Sequence, residues 1–342
     1  MERTTLKRDL IVIGASAGGV DALIKLTGAL PPDLPAAVLV AQHVGRHPSR
    51  LPELLQRRLP ARHATQGMIY RPGHIYVAPP DRHLLVHDGA LRLSTGPKEN
   101  LTRPAIDPLF RSAAVAKGPR TIGILLTGHL NDGTAGLLAI KQAGGATIVQ
   151  DPLDAEQPDM PRHALAFVDC DYRARLDEIP DLLDRLTREV RPSISPAVSP
   201  ALADENALSL SDGRRLDALF RIGEASGYTC PSCNGALFDI ADAWPPRYRC
   251  HTGHAFSRLA LLAAQERATE DRLWSAMRSL QEYEAALRGF AQDRGERDPE
   301  SVRRTHEQAE SVHRQIEVLR AVTAQFVSEA TRPIDEGNDA VA

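Results

Sequence analysis

The chain is expected to form a doubly wound α/β domain with a mostly parallel sheet, a small cysteine-bearing module and a C-terminal α-helical hairpin. Three observations carry this expectation. Over residues 8–190, apolar runs of strand length alternate with segments of helical spacing, the pattern of parallel strands joined by crossover helices. Cys230, Cys233 and Cys250 cluster while Cys170 stands alone. Beyond residue 257, apolar residues recur every three or four positions, as one face of a helix requires.

The elements follow in order. Asp9 to Ile13 is a buried strand ending at Gly14. Val20 to Leu30 has helical spacing and stops at Pro31-Pro32. Ala36 to Ala41 is a second buried strand, and Ser49 to Leu59 an amphipathic helix with Leu51, Leu54, Leu55 and Leu59 on one face. His74 to Ala78 reads as a strand; Leu84 to Val86 and Leu91 to Leu93, split by Asp88-Gly89, read as a hairpin. Ile106 to Ala116 is a helix, Thr121 to Leu126 a strand, Thr134 to Ala143 a helix, Ala146 to Gln150 a strand and Asp177 to Val190 a closing helix. The Pro/Ser-rich stretch Arg191 to Pro200 opens a linker expected over residues 191–207. A module over 208–257 carries the cysteine cluster, a helical hairpin occupies 258–330, and residues 331–342 are expected to be disordered. In the hairpin, Leu273, Met277, Leu280, Leu287 and Phe290 face Ala309, Val312, Ile316, Leu319 and Phe326, with Asp298-Pro299 starting the second helix.

Bulk composition narrows the function. The net charge of −3 gives no argument for a polyanionic partner. Basic and aromatic residues are not interleaved, which speaks against nucleic acid. The sequence holds no apolar run of membrane-spanning length and no signal-peptide-like N-terminus, so the expectation is a cytoplasmic chain without membrane insertion.

The chemistry is expected where strands end. Gly14-Ala-Ser16-Ala-Gly18-Gly19 sits between the first strand and first helix. Its small residues permit a tight turn, its serine would lie at the carboxyl edge of the sheet, and the helix-opening amides can hold an oxyanion. A dinucleotide-binding turn is disfavoured, because Ser16 takes the middle glycine position and no acidic residue ends the second strand. An α/β-hydrolase elbow is disfavoured because that fold carries its nucleophile deeper in the chain. An inert turn stays open on the motif alone. His43, after the second strand, and Asp132, after the strand at Thr121, should reach the same sheet edge. Serine, histidine and aspartate there form the set that acyl transfer needs.

Several stretches together resemble the catalytic domain of the CheB-type chemotaxis-receptor methylesterases. They are Ile11-Val-Ile-Gly-Ala-Ser-Ala-Gly-Gly19, Ala41-Gln-His43, Pro72-Gly-His-Ile-Tyr-Val-Ala-Pro79, Arg103-Pro-Ala-Ile-Asp107 with Leu109-Phe-Arg-Ser112, Leu126-Thr-Gly128 with Asn131-Asp132-Gly133, and Met160-Pro161 with Ala164. The resemblance implies a Ser16–His43–Asp132 triad that hydrolyses glutamate γ-methyl esters, and deamidates glutamines, on the cytoplasmic helices of methyl-accepting chemoreceptors. It implies no cofactor for catalysis, and Ala17, Gly18 and His129 around the oxyanion. A methyltransferase or response regulator is a further candidate partner. Ala17 stands where the family commonly has Thr, and Leu130 where it often has Gly, so the loop path is expected to change there. The space before Asp9 is too short for the family's receiver domain, so phosphorylation control within this chain is not expected. The basic residues Arg46, His47, Arg50, Arg57, Arg58 and Arg62 form a candidate rim for a carboxylate-rich receptor helix; a solvated helix face explains each of them equally well. A silent regulatory module that binds methylated helices is the alternative to an enzyme.

Cys230-Pro-Ser-Cys233 and Cys250-His251-Thr-Gly-His254 have the spacing of a zinc ribbon or knuckle. Cys230, Cys233, Cys250 and His254 are the expected ligands of a structural zinc, with His251 the weaker fourth candidate. The terminal helices are expected to close on each other, to pair two copies as a homodimer, or to bind a partner.

Overall fold

The largely apolar runs take the middle of the sheet. In a computed structural model that describes residues 5–192, 196–241, 243–294 and 298–330, the chain divides after Leu261 into two compact units. The first opens with β1 (Thr5–Leu6), β2 (Leu10–Ala15), α1 (Gly19–Ala29), β3 (Ala37–Gln42) and α2 (Leu51–Leu55). β4 (Ala61–His63), β5 (Ile75–Val77) and the hairpin of β6 (His83–His87) and β7 (Ala90–Ser94) follow. Then come α3 (Ile106–Lys117), β8 (Thr121–Leu125), α4 (Thr134–Gln142), β9 (Ala146–Gln150), α5 (Asp159–Phe167), β10 (Tyr172–Ala174) and α6 (Ile179–Arg188). β11 (Arg191–Pro192) returns to pair with β1.

Seven strands form one parallel sheet in the order β10-β9-β8-β2-β3-β5-β4. Every residue of β2, β3, β8 and β9 is buried, so their alternating side chains feed a core on each face. Ile11, Ile13, Val38, Val40 and Ile124 pack under α1, α2 and α6. Leu10, Val12, Leu39 and Leu125 pack under α3, α4, α5 and the β6–β7 hairpin. The chain leaves β2 for β3 on one side and later sets β8 on the other. That reversal is a topological switch point, the place where open α/β sheets gather their sites. The register levels the strand ends, Ala15 opposite Gln42 and Gly14 opposite both Ala41 and Leu125.

Three features depart from the sequence reading. The Ser49–Leu59 helix shrinks to one turn and a half, because the chain turns at Gln56 and Arg57 to deliver Leu59 to the core. β4, α5 and β10 were not anticipated; two of them are three-residue strands, too short for a periodic signal. The stretch expected as a linker over 191–207 runs into α7 (Pro200–Leu210). Ser199 caps that helix by accepting from the Leu202 amide, with Pro200 at its first position. Its Glu205, Asn206, Leu208 and Ser209 are buried, so it is packed structure and no spacer.

α8 (Leu216–Ile222) and the antiparallel sheet β12 (Gly223–Thr229), β13 (Ala236–Ile240), β14 (Arg247–Cys250) and β15 (Ala255–Ser257) make the cysteine module. Leu208, Leu219, Ile222 and Ile240 form its apolar centre. It belongs to the same compact unit as the large sheet. α9 (Arg258–Arg294) leads into the second unit, where α10 (Pro299–Ala330) lies. There Met277, Val312 and Ile316 are buried together, with Leu280, Leu287 and Leu319 against them, so the expected apolar stripes meet within the chain. Phe290 is exposed at 48%. Residues 331–342, expected to be disordered, lie outside the described residues. Among the described residues no helix is long and apolar enough to cross a membrane.

Candidate functional site

Ser16 leaves β2 on a turn built for close approach. Gly18 caps α1 at φ 73°, a conformation that only glycine adopts without strain. A Cβ on Gly128 would stand 2.7 Å from the Ser16 Cβ and 2.2 Å from the Met160 sulfur, so a glycine there lets the loop after β8 pass against the serine. That loop is pinned to the turn: the Ser16 amide donates to the Thr127 carbonyl at 3.0 Å and the Thr127 hydroxyl to the Ala17 carbonyl at 2.9 Å. Gln42 holds the turn from β3, its amide donating to the Ser16 carbonyl at 2.8 Å.

His43 Nδ1 lies 3.0 Å from the Ser16 hydroxyl and its Nε2 2.8 Å from Asp132 Oδ2. The structure therefore brings together the three residues read from the strand ends. Asp132 is 3% exposed, and burial works against its charge. The His43 hydrogen bond outweighs that cost, with help from the Ile106 amide and Asn100, and holds the carboxyl below its ordinary value. Oδ2 also accepts from the Ile106 amide at 2.7 Å, and Oδ1 from the Asp107 amide at 3.2 Å and Asn100 Nδ2 at 2.8 Å. The first turn of α3 thus offers its unpaired amides to the carboxylate. An ionised Asp132 only accepts, so the proton of neutral His43 sits on Nε2 and Nδ1 is left to accept from Ser16.

The backbone amides of Ala17, Gly18 and His129 have no intramolecular acceptor among the described residues, which leaves them available beside the serine. The His129 side chain turns outward to Asp159, 3.1 Å away. Leu130 takes φ 60°, the region glycine favours, so the side chain replaces glycine without abolishing a glycine-like backbone. Of the basic residues after His43, Arg46 and Arg50 are exposed at 74% and 84% beside Asp81 and Glu53. Arg57 and Arg58 donate to the Leu54 and Gly28 carbonyls. Each is bound to its own surface, as a solvated face would be.

Sequence reasoning missed Gln42, Asn100, Thr102 and Asp107. Asn100 Nδ2 bridges Asp132 and Asp107, at 2.8 and 2.9 Å, and Thr102 Oγ1 lies 3.3 Å from His43 Nε2. Burial and the neighbouring Asp132 push the Asp107 carboxyl up to about 7. Gln42 and Asp107 sit inside the quoted stretches Ala41-Gln-His43 and Arg103-Pro-Ala-Ile-Asp107, which is the signal that could have found them.

At the module, the ligand atoms of Cys230, Cys233, Cys250 and His254 all lie within 4.8 Å of one another. Two tight turns present them, with the Asn234 amide on the Cys230 carbonyl and the Gly253 amide on the Cys250 carbonyl. Cys233 Sγ is 3.7 Å from Cys250 Sγ, and Cys250 Sγ is 3.5 Å from His254 Nδ1. Ligands about 2.3 Å from a tetrahedral zinc are separated by roughly that edge, so the donor set fits the ion. His251 is not in the group; its ring lies against Gly235. The hydrogen bond between the two thiols lowers Cys250 and raises Cys230.

Comparison with known proteins decides the family. A model of the CheB methylesterase family matches residues 11–183. The chain belongs to the CheB methylesterase family. An Anaeromyxobacter dehalogenans relative, named protein-glutamate methylesterase/protein-glutamine glutaminase 2, is 42% identical over 183 residues, 53% of this chain and 54% of that protein. A Paraburkholderia xenovorans relative of the same enzyme name is 42% identical over 179 residues, 50% of this chain and 49% of its own. The chain thus spans about half the length of these relatives. The CheB methylesterase catalytic domain of Thermotoga maritima superposes with a TM-score of 0.51 at 31% identity, covering 53% of this chain and all of that one. The family match lies wholly on the large-sheet domain and ends before the cysteine module.

Proposed function

We propose that the chain hydrolyses glutamate γ-methyl esters on the helices of methyl-accepting chemoreceptors, and deamidates glutamines there, with Ser16, His43 and Asp132 as catalytic residues. The hydrogen-bonded relay from Ser16 Oγ through His43 to Asp132 carries this reading, within a family whose relatives bear that enzyme name.

The chemistry follows from the geometry. Ser16 Oγ attacks the ester carbonyl as its proton passes to His43 Nδ1, and Asp132 stabilises the imidazolium across Nε2. The carbonyl oxygen becomes an oxyanion facing the Ala17, Gly18 and His129 amides. Collapse expels methoxide, which takes the proton from His43 and leaves as methanol. Water then attacks the acyl-serine, gives its proton to His43, and releases the glutamate carboxylate as Ser16 is reprotonated. For a glutamine the leaving group is ammonia.

The test is methanol release from a methyl-labelled receptor fragment. Ser16→Ala should lower turnover by roughly 10⁴- to 10⁶-fold; equal rates in both proteins would exclude the serine mechanism. In the module, Cys230, Cys233, Cys250 and His254 would hold a structural zinc, which closes two turns of a sheet too small to carry a large core. Cys230→Ser should lower bound zinc from about one per chain towards none, measured by elemental analysis; retained zinc would remove Cys230 from the ligand set.

A further inference from the structure

The strand of the cysteine module nearest the active site is seated on the loop that holds the triad acid. β15 runs beside residues 98–100: the Asn100 amide donates to the Ala255 carbonyl at 2.9 Å, and the Ala255 amide to the Lys98 carbonyl at 3.3 Å. Ser257, the last residue of β15, then fixes two side chains that flank Asp132. Its amide donates to Asn100 Oδ1 at 2.8 Å, and its hydroxyl to Asn131 Oδ1 at 2.6 Å.

The first of these bonds has a chemical consequence. A carboxamide has one accepting end and one donating end. With Oδ1 occupied by the Ser257 amide, the NH₂ of Asn100 must face the carboxylates of Asp132 and Asp107, where it is found. Asn100 is 7% exposed, so no bulk water competes for either end. A second tie joins the module to the same loop. Arg249, on β14, reaches Glu99 at 2.8 Å, and Glu99 precedes Asn100 in the chain. β14 ends at Cys250, and His254 directly precedes β15. The expected metal turn therefore sits between the two strands that grip residues 98–100.

We propose that Asn100 is a positioning residue for Asp132 whose orientation is set by the cysteine module, and that metal in the module thereby supports esterase chemistry at Ser16. The proposal rests on the reading of Ser16 as the nucleophile. The capping alternative is that Ser257 merely starts α9, since its hydroxyl also accepts from the Ala260 amide at 3.1 Å. A cap alters stability and leaves the reactivity of Ser16 alone.

The experiment follows Ser16 directly with a fluorophosphonate, which labels an activated serine whatever its natural substrate. The full chain is used, zinc-loaded or chelator-stripped, as wild type and Asn100→Ala. Asn100→Ala should lower the maximal labelling rate roughly tenfold and leave the half-saturating probe concentration unchanged. Stripping zinc from wild type should have a similar effect, restored by zinc alone, and should add little to Asn100→Ala. Hydrogen exchange over residues 98–102 should speed up on stripping. A wild-type maximal rate in Asn100→Ala overturns the positioning role. Unchanged exchange over 98–102 after stripping overturns the link to the metal. Failure of wild-type Ser16 to label at all overturns the nucleophile and the proposal with it.

Discussion

Two buried carboxylate clusters lie back to back across the Glu99–Asn100 peptide, and they satisfy charge in opposite ways. On one side Glu99 meets Arg111 and Arg249, each at 2.8 Å, while Glu205 meets Arg111 at 3.3 Å and Arg247 at 2.7 Å. On the other, Asp132 and Asp107 form no ion pair with arginine or lysine among the described residues; they are held by backbone amides and by Asn100. The difference assigns each cluster a task. Full charges that meet full charges lock three elements, α3, α7 and β14, into one body. A carboxylate held by dipoles keeps its negative charge available to an imidazolium, which a guanidinium neighbour would have cancelled.

The largest effect tests the locked side. Removing one partner from a buried pair strands the other charge without solvent. Arg249 is 2% exposed and Glu99 5%. Arg249→Met should therefore cost about 3–5 kcal/mol of unfolding free energy, read from a urea titration. A loss below about 1 kcal/mol would show that Arg111 alone neutralises Glu99, and that the cluster is no lock.

The two sides should also differ in the sign of their pH dependence. Burial raises the cost of Glu205's charge, but the three arginines outweigh it and bring the carboxyl down to about 2. Its contribution is present above the ordinary value of 4.5 and is lost as the pH falls towards about 2. Asp107 runs the other way. Its carboxyl moves from 3.8 up to about 7, first through burial and then through Asp132. The folded chain binds the extra proton between those values, so stability falls as the pH rises from about 4 to about 7. Asp107→Asn should flatten that limb and leave the acid limb in place, as urea midpoints measured from pH 3 to 8 would show. An unchanged limb between pH 4 and 7 would mean that Asp107 is ionised throughout, and that the dipoles alone carry two charges.

The contrast also explains what was legible beforehand. β2, β3, β8 and β9 are buried on both faces, so they wrote themselves as largely apolar runs, broken only by Gln42, Thr121, Thr147 and Gln150. Ser16, His43 and Asp132 each follow such a run, and parallel strands bring those ends together. Asn100 follows no strand. Its partners at 132 and 257 are remote in sequence, and one polar residue in a loop leaves no periodicity. α7 was hidden for a related reason: its Pro- and Ser-rich approach looks like a spacer, while its burial depends on Glu205 finding arginines on α3 and β14. Cys230, Cys233, Cys250 and His254 were legible as a group because two short, local turns carry them at a spacing that the sequence shows directly.

The smallest effect lies in the backbone between His129 and Asp132. Leu130 holds φ 60° with 37% of its surface exposed. A left-handed conformation costs a Cβ-bearing residue roughly 1–2 kcal/mol, whereas glycine adopts it freely but loses about 0.5–1 kcal/mol more chain entropy on folding. Little apolar surface is surrendered by so exposed a side chain. Leu130→Gly should therefore be neutral to stabilising, by up to about 1 kcal/mol, where most substitutions beside an active site destabilise. Because the strain is in the backbone and not in the dipole cluster, the pH limb assigned to Asp107 should stay where it is. A clear destabilisation would mean that the Leu130 side chain is held by contacts worth more than the strain, and that the loop is shaped by packing as well as by the amides it presents to Ser16.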